Sequence, residues 1–293
     1  MRYILTVVFA FFFTSAIAQQ ITVSGKVVDK QLKGIPFCLV KAKDYPAGAY
    51  CDENGIFSIS LNKDSVKALI FSCLGFEKKE LRVSELPANP ITIDLTNATT
   101  TLNTVVIKDK KGKPKTGILG KKGVRHISDC YQKYGEEIAV FLKADTARHG
   151  VLKDIYVYIT DEGIPESKFR LHVYKKDPVT NLPADELTDT NLIVNATRGN
   201  EWVKADLTNK HIPVSEGVFI SVEWISGFGN RQISIQSAKH PELSADHYGQ
   251  VMGLTLNYGV KHMYHRSTFN GTWGFDFVDF LCPMIYGTYK YKN

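Results

Sequence analysis

Val23-Ser-Gly25-Lys-Val-Val-Asp29, Gly34-Ile-Pro36, Cys51-Asp-Glu-Asn54-Gly55-Ile-Phe57-Ser-Ile59 and Leu69-Ile-Phe71-Ser72-Cys-Leu-Gly75-Phe76 are successive pieces of one stretch. Each short apolar run in it is closed by a turn signal. Asp52-Glu-Asn54-Gly55 is the sharpest, because Asn and Gly accept the positive φ of a tight hairpin turn. Between the turns, Phe57, Ile59 and Leu61 alternate with Ser58 and Ser60, the period of a half-buried strand. Ala68 to Ser72 is a continuous run of the fully buried kind. Further strands are expected at Val23–Val28, Pro36–Val40, Glu77–Val83, Ile91–Leu95 and Leu102–Ile107, with a loop at Tyr45–Gly48. About seven short strands and no convincing helix predict a β-sandwich.

The spaced pattern Gly25-x-Val-x-Asp29, Gly34-x-Pro36, Asp52-x-x-Gly55-x-Phe57-x-Ile59 and Leu69-x-Phe71-Ser72-x-x-Gly75-Phe76 resembles the carboxypeptidase-regulatory-like domain, over about residues 21–107. The resemblance implies a transthyretin-like seven-strand sandwich. The closing Leu102-Asn-Thr-Val-Val-Ile107 is similar to the strand that ends this module in TonB-dependent outer-membrane receptors. Cys51 departs from the family, which commonly has Thr before the Asp. The family is an accessory domain, so the resemblance implies no peptidase residues. A receptor barrel, with its repeated ~10-residue alternating strands, is not expected.

Residues 1–18 read as a signal peptide: Met1-Arg2 is positive, Ile4 to Phe13 is almost wholly apolar, and Ala16-Ile17-Ala18 precedes Gln19. The apolar run is shorter than the ~20 residues that span a bilayer, so no transmembrane span is expected in the mature chain. The predicted location is the periplasm, the outer-membrane surface or the cell exterior. The formal net charge is +6. Its one dense run, Lys108 to Lys122, lacks aromatics for stacking on bases and reads as part of a Lys/Gly-rich linker over 109–123, not a nucleic-acid site. The domain plan is therefore 21–108, a linker, and 124–293.

The second domain is again strand-rich and predicts a jelly-roll-like sandwich. Phe169, Leu171 and Val173 alternate with Arg170, His172 and Tyr174. Val218, Ile220, Val222 and Trp224 alternate with Phe219, Ser221 and Glu223. Five cysteines, an odd number, leave at least one thiol. Cys130 and Cys282, near the ends of this domain, are the candidate disulfide. Cys38 and Cys73 read as small buried hydrophobes.

Candidate chemistry is sparse. His262 and His265 are three apart, with His240 and His247 nearby, but on a strand i and i+3 face opposite ways and favour no metal. Asp177, Asp185 and Asp189, with Glu186 and Asn181, form a weak calcium candidate on one loop; no other cofactor is expected. Gly-x-Ser-x-Gly is absent, and Glu201, Asp206 and Glu223 suggest no carboxylate pair. Trp273, Trp202, Tyr248 and Tyr264 are candidate ligand platforms, Trp273 first because Asn270-Gly-Thr-Trp273-Gly274 reads as a loop.

The expectation is an all-β, two-domain, non-enzymatic interaction protein of the Gram-negative envelope, with a protein partner. The alternatives are a polysaccharide-binding protein and a hydrolase whose site the sequence does not disclose.

Overall fold

A computed structural model describes residues 20–98, 112–122, 125–130, 132–144, 149–225, 249–256, 262–277 and 280–292. The expected signal peptide and the Leu102–Ile107 strand lie outside these residues. The architecture is all-β, as the turn-punctuated alternation predicts.

The first sandwich is built from β1 (Gln20–Val28), β2 (Leu39–Ala42), β3 (Gly48–Tyr50), β4 (Ile56–Asn62), β5 (Ala68–Ser72), β6 (Lys79–Arg82) and β7 (Ile91–Asp94). One sheet has the order β4-β1-β7, the other β3-β2-β5-β6. Their inner faces meet in a core that includes Val27, Val40, Phe57, Leu69 and Phe71. The Asp52–Gly55 turn forms as expected: Asp52 Oδ1 accepts the amides of Asn54 and Ile56, both at 2.8 Å, and Gly55 takes φ 79°. The expected loop covers Tyr45–Ala47, and Gly48–Tyr50 is a strand whose backbone pairs with β2, Tyr50 opposite Leu39. One local expectation differs. Pro36 and Phe37 are a turn ahead of β2, with Phe37 at φ 56°.

The second sandwich begins with β8 (Lys115–Gly120), β9 (Ser128–Cys130), β10 (Glu136–Lys143), β11 (Gly150–Gly163), β12 (Phe169–Lys176), β13 (Pro183–Glu186), β14 (Leu192–Val194) and β15 (Glu201–Asp206). It continues with β16 (Pro213–Val214), β17 (Gly217–Trp224), β18 (Gln250–Leu256), β19 (His262–Ser267), β20 (Gly274–Phe277), β21 (Leu281–Pro283) and β22 (Ile285–Tyr291). One sheet runs β13-β12-β17-β10-β19-β20, with β14 also on β12. The other runs β21-β18-β11-β22-β8, with β9 on β18 and β15 and β16 on β11. Ile138, Phe169, Ile220 and Trp224 of the first sheet pack on Leu152, Ile155, Val157 and Ile285 of the second.

β8 corrects the expected linker. Lys115 to Gly120 pair along β22, from Tyr291 to Tyr286, and Leu119 is fully buried. The lysines and glycines there mask an alternation in which only Leu119 faces the core.

At Gly25, β1 runs beside the parallel β7, and a Cβ would sit 2.0 Å from the Ile91 carbonyl oxygen. Gly25→Ala is expected to destabilise the protein by about 2 kcal/mol or more, as overpacking against backbone does. A urea-denaturation midpoint equal to that of the unsubstituted protein would contradict this.

Candidate functional site

The register of the second sandwich writes a row of charges across one sheet face. On β10, β12 and β17 the polar and charged residues facing away from the core include Glu137, then Arg170, His172 and Tyr174, then Ser221 and Glu223, with Ala139, Phe141 and Phe219 on the same side. Cross-strand pairing sets Arg266 opposite Glu137, Glu137 opposite Glu223, and Glu223 opposite Arg170. Two carboxylates directly opposite repel, so each must have its own cation. Arg266 Nε donates to Glu137 Oε2 at 2.7 Å, and Arg170 Nη1 to Glu223 Oε2 at 2.8 Å. Hydroxyls complete Glu137: Ser221 Oγ and Tyr174 Oη donate to Oε1 at 2.5 and 2.8 Å. His172 lies between Glu223 Oε2, 3.0 Å from Nε2, and Glu186 Oε2, 2.7 Å from Nδ1. With a carboxylate on each nitrogen the ring must donate twice, so it is an imidazolium. Three carboxylates thus face three cations.

This face is buried because the first sandwich covers it. Tyr50 Oη donates to Glu223 Oε1 at 2.5 Å, its ring lies under the Arg170 guanidinium, and its amide donates to Tyr134 Oη at 2.6 Å. Arg170 Nη2 donates to the Phe37 carbonyl, and Lys168 pairs with Glu53. Beside the charges, Phe269 is held between Gly48 of one sandwich and Gly135 of the other; a Cβ at either glycine would fall within 2.3 Å of the ring. Tyr50 and Tyr134 complete that aromatic contact. Glu137 and Glu223 are fully buried as a result.

Burial alone would pull His172 down, but Glu186 and Glu137 and its hydrogen bonds outweigh it and raise the ring to about 10. Burial would raise Glu223, yet Arg170, His172 and Tyr50 hold it far below the usual carboxylate range. The folded protein therefore binds the His172 proton more tightly than the unfolded chain. That stabilisation is complete below about pH 6.5 and is lost as pH rises through about 10. The Glu223 contribution is present above about 4.5 and is lost as pH falls. Calorimetric melting temperature should fall between pH 6.5 and pH 10, and His172→Gln should flatten that slope. An unchanged slope would refute the assignment. Tyr50→Phe, which removes a donor to a buried charge, should cost about 1.5–3 kcal/mol in urea denaturation.

A second arrangement lies on the other sheet, on the face turned away from the core. Tyr156 and Tyr158 of β11 lie there beside Trp202 of β15 and Tyr286 of β22. Tyr156 and Tyr286 stack at 4.5 Å with their planes 2° apart. Trp202 meets Tyr286 edge-on at 4.9 Å and Tyr158 at 5.4 Å. Ile118 of β8, 58% exposed, extends the apolar area. One edge is charged: Asp154, itself buried, takes Lys153 at 2.8 Å, Lys204 at 3.0 Å and the Thr288 hydroxyl at 3.0 Å. Burial disfavours its charge, and these three donors overcome that and lower its pKa.

The structure distributes the predicted site residues differently from the sequence reading. Trp202 is half-buried within the aromatic face just described. Trp273 is half-buried beside the charge row, its ring 4.4 Å from the Arg266 guanidinium carbon and edge-on to Tyr174. Tyr264 is buried against Phe219 and is no open platform. Tyr248, His240 and His247 lie outside the described residues.

The three aspartates do not converge on a metal. Asp177 Oδ1 accepts the amides of Val179 and Thr180, Asp189 pairs with Lys210, and Asp185 is exposed on β13. Among the described residues no cluster of three or more His, Cys, Asp or Glu side chains is suited to a metal ion.

The proposed Cys130–Cys282 bond is corrected: all five cysteines are thiols. Cys130 lies opposite Met252 on one side of β18, and Cys282 opposite Thr255 on the other. Two strand spacings, about 10 Å, exceed the Cα separation of about 7 Å that a disulfide tolerates.

The sequence reading missed the charge row and Tyr156, Tyr158 and Tyr286. The available signal was composition on the outward positions. Arg170, His172, Tyr174 and Glu223 carry both signs and rings, where a solvent face would carry lysines and small polar residues. Tyr156 and Tyr158 interleave with Ile155, Val157 and Ile159 in the same way.

Residues 23–107 match the model of the CarboxypepD_reg-like domain family, which bears out the resemblance of the first sandwich. Comparison with curated proteins gives no match. Among solved structures, the chain is similar to the cysteine protease and lectin-like domains of Cwp84, a surface-layer-associated protein of Clostridium difficile. Identity is 9%, with a TM-score of 0.33 over 63% of this chain and 37% of that one. It is also similar to BcpA, the major pilin subunit of Bacillus cereus, at 9% identity and a TM-score of 0.18 over 90% of this chain and 69% of that one. The chain spans little more than a third of the first of these structures, and such scores carry no argument about its function.

Proposed function

We propose that the protein is an exported, non-enzymatic interaction protein of the Gram-negative cell envelope. In this reading the carboxypeptidase-regulatory-like sandwich is fastened to the second as a rigid support, and the aromatic face of the second sandwich receives the partner. The observation that carries the reading is that face: Tyr156, Tyr286, Trp202, Tyr158 and Ile118 lie together on an outer sheet surface. Aromatic rings of this kind give large contact area at low conformational cost and dominate interface energetics. The N-terminal charge, apolar run and Ala16-Ile17-Ala18 support export. The two facing carboxylates that hydrolysis would need, Glu137 and Glu223, are closed in by their own donors, which supports a role other than catalysis.

The occupant in this reading is an envelope protein. A second occupant, polysaccharide, is favoured by the coplanar Tyr156–Tyr286 pair next to the Lys204–Asp154 edge, since flat rings beside hydrogen-bonding groups suit a sugar face. A photo-crosslinking residue at Ile118 and affinity electrophoresis against soluble polysaccharides separate the two. Protein adducts that disappear in Trp202→Ala support the protein reading. Retardation by a polysaccharide, weakened about tenfold or more in Trp202→Ala, about 1.4 kcal/mol, supports the second. Binding of either kind that Trp202→Ala leaves intact would remove this face from the account.

A further inference from the structure

The first sandwich brings three thiols into one row. Cys38 immediately precedes β2, Cys51 follows β3 and Cys73 follows β5, and β2 lies between β3 and β5. Leu39 is opposite Tyr50 on one side and Ser72 on the other. The next rung therefore sets Cys38 between Cys51 and Cys73, and the Cys51 amide donates to the Cys38 carbonyl at 2.8 Å.

The two flanks of Cys38 are not equivalent. The Lys43 amide donates to the Ala68 carbonyl at 2.9 Å, in the same register as Leu39 and Ser72. Hydrogen-bonded rungs recur at every second residue, so Leu39 and Ser72 form one, and Cys38 and Cys73 fall on the non-hydrogen-bonded rung beyond it. Such rungs bring Cα atoms to about 4.5 Å with the side chains close, inside the range a disulfide accepts. On the other flank, the Ala42 amide donates to Ala47 and the Cys51 amide to Cys38, so Cys38 and Cys51 lie on a hydrogen-bonded rung, about 5.5 Å apart, a spacing a disulfide also accepts but with the side chains less close than on the other rung. Access differs as well. Cys38 and Cys51 are buried, whereas Cys73 is half-buried, its Sγ accepting from Asn191 Nδ2 of the second sandwich at 3.2 Å.

We propose that Cys38 and Cys73 are a redox pair that closes to a cross-strand disulfide at the edge of the contact between the sandwiches, leaving Cys51 as a thiol. The oxidant is a small-molecule disulfide. The Cys73 thiolate attacks one sulfur of oxidised glutathione, forming a mixed disulfide and releasing one glutathione thiolate. The Cys38 thiolate then attacks the Cys73 sulfur and expels the second. Two protein thiols are oxidised by two electrons, the glutathione disulfide is reduced to two thiols, and the two protons pass to the departing thiolates. The Cys51 thiol and burial raise Cys38 against the opposing pull of Cys73, and the Cys38 thiol and burial raise Cys73, so both are weak attackers and closure is slow.

The test is incubation of the dilute full chain with oxidised glutathione at pH 8.5, an acid quench, alkylation and non-reducing peptide mass spectrometry. A Cys38–Cys73 linked peptide, retained in Cys51→Ser and absent in Cys73→Ser, is the expected result. Its absence from the unsubstituted protein after exhaustive incubation, or a Cys38–Cys51 peptide in its place, would overturn the proposal. The readout on the unsubstituted chain does not depend on any variant folding.

Discussion

A carboxylate withdrawn from water loses several kcal/mol of hydration, and only well-placed donors replace it. Glu223 is in that position. It faces another buried carboxylate, Glu137, on the neighbouring strand, and its oxygens are met by Arg170 and His172 from β12 and by Tyr50 from the other sandwich. The first two are already present on the sheet. The third arrives only when the sandwiches are joined. Separating them would leave Glu223, Glu137 and their cations on an open face, and would strip the contact of the Phe269 ring with Gly48. Charge and packing thus favour the same arrangement. A buried network of this kind is weak evidence for stability as such, but it selects one docking geometry because the Tyr50 hydroxyl and the Phe37 carbonyl reach Glu223 and Arg170 only when the sandwiches are placed this way.

That geometry bears on what the molecule presents. One sheet of the second sandwich is spent on the first sandwich. The other sheet carries Tyr156, Tyr158, Trp202 and Tyr286 on its outer side, and these rings lean on one another, not on the core. The two faces are chemically distinct. The covered face is rich in paired charge, whereas the outer aromatic face has Asp154 and its lysines at one edge and the His126–Asp129 contact beside Tyr158.

Much of this was legible in the sequence, and the illegible part has a physical cause. Asp52 to Gly55 declared its turn because its residue types are the ones that a positive φ and side-chain capping demand. The alternation in Phe169–Tyr174 and Val218–Trp224 placed the core face correctly, since burial there depends only on local period. What covers the opposite face is set by contacts far apart in the chain, Tyr50 with Glu223 above all, and no local pattern encodes that. The linker expectation failed at Lys115–Gly120 because one buried residue, Leu119, anchors the strand and backbone pairing with β22 does the rest. The Cys130–Cys282 expectation failed because nearness to the domain ends says nothing about which side of β18 each occupies. Trp273 looked like an exposed loop platform, yet Arg266, an ion-pair partner of Glu137, lies over its ring.

The central claim is that the charge row holds the two sandwiches as one body. Backbone N–H residual dipolar couplings of the isotope-labelled protein in a dilute aligned medium test it most directly, at about pH 6.5, where both the His172 and Glu223 contributions are in place. The account predicts that couplings from the strands β1–β7 and β8–β22 fit one alignment tensor with the sandwiches oriented as described. Two tensors of different magnitude, one for each sandwich, would contradict it.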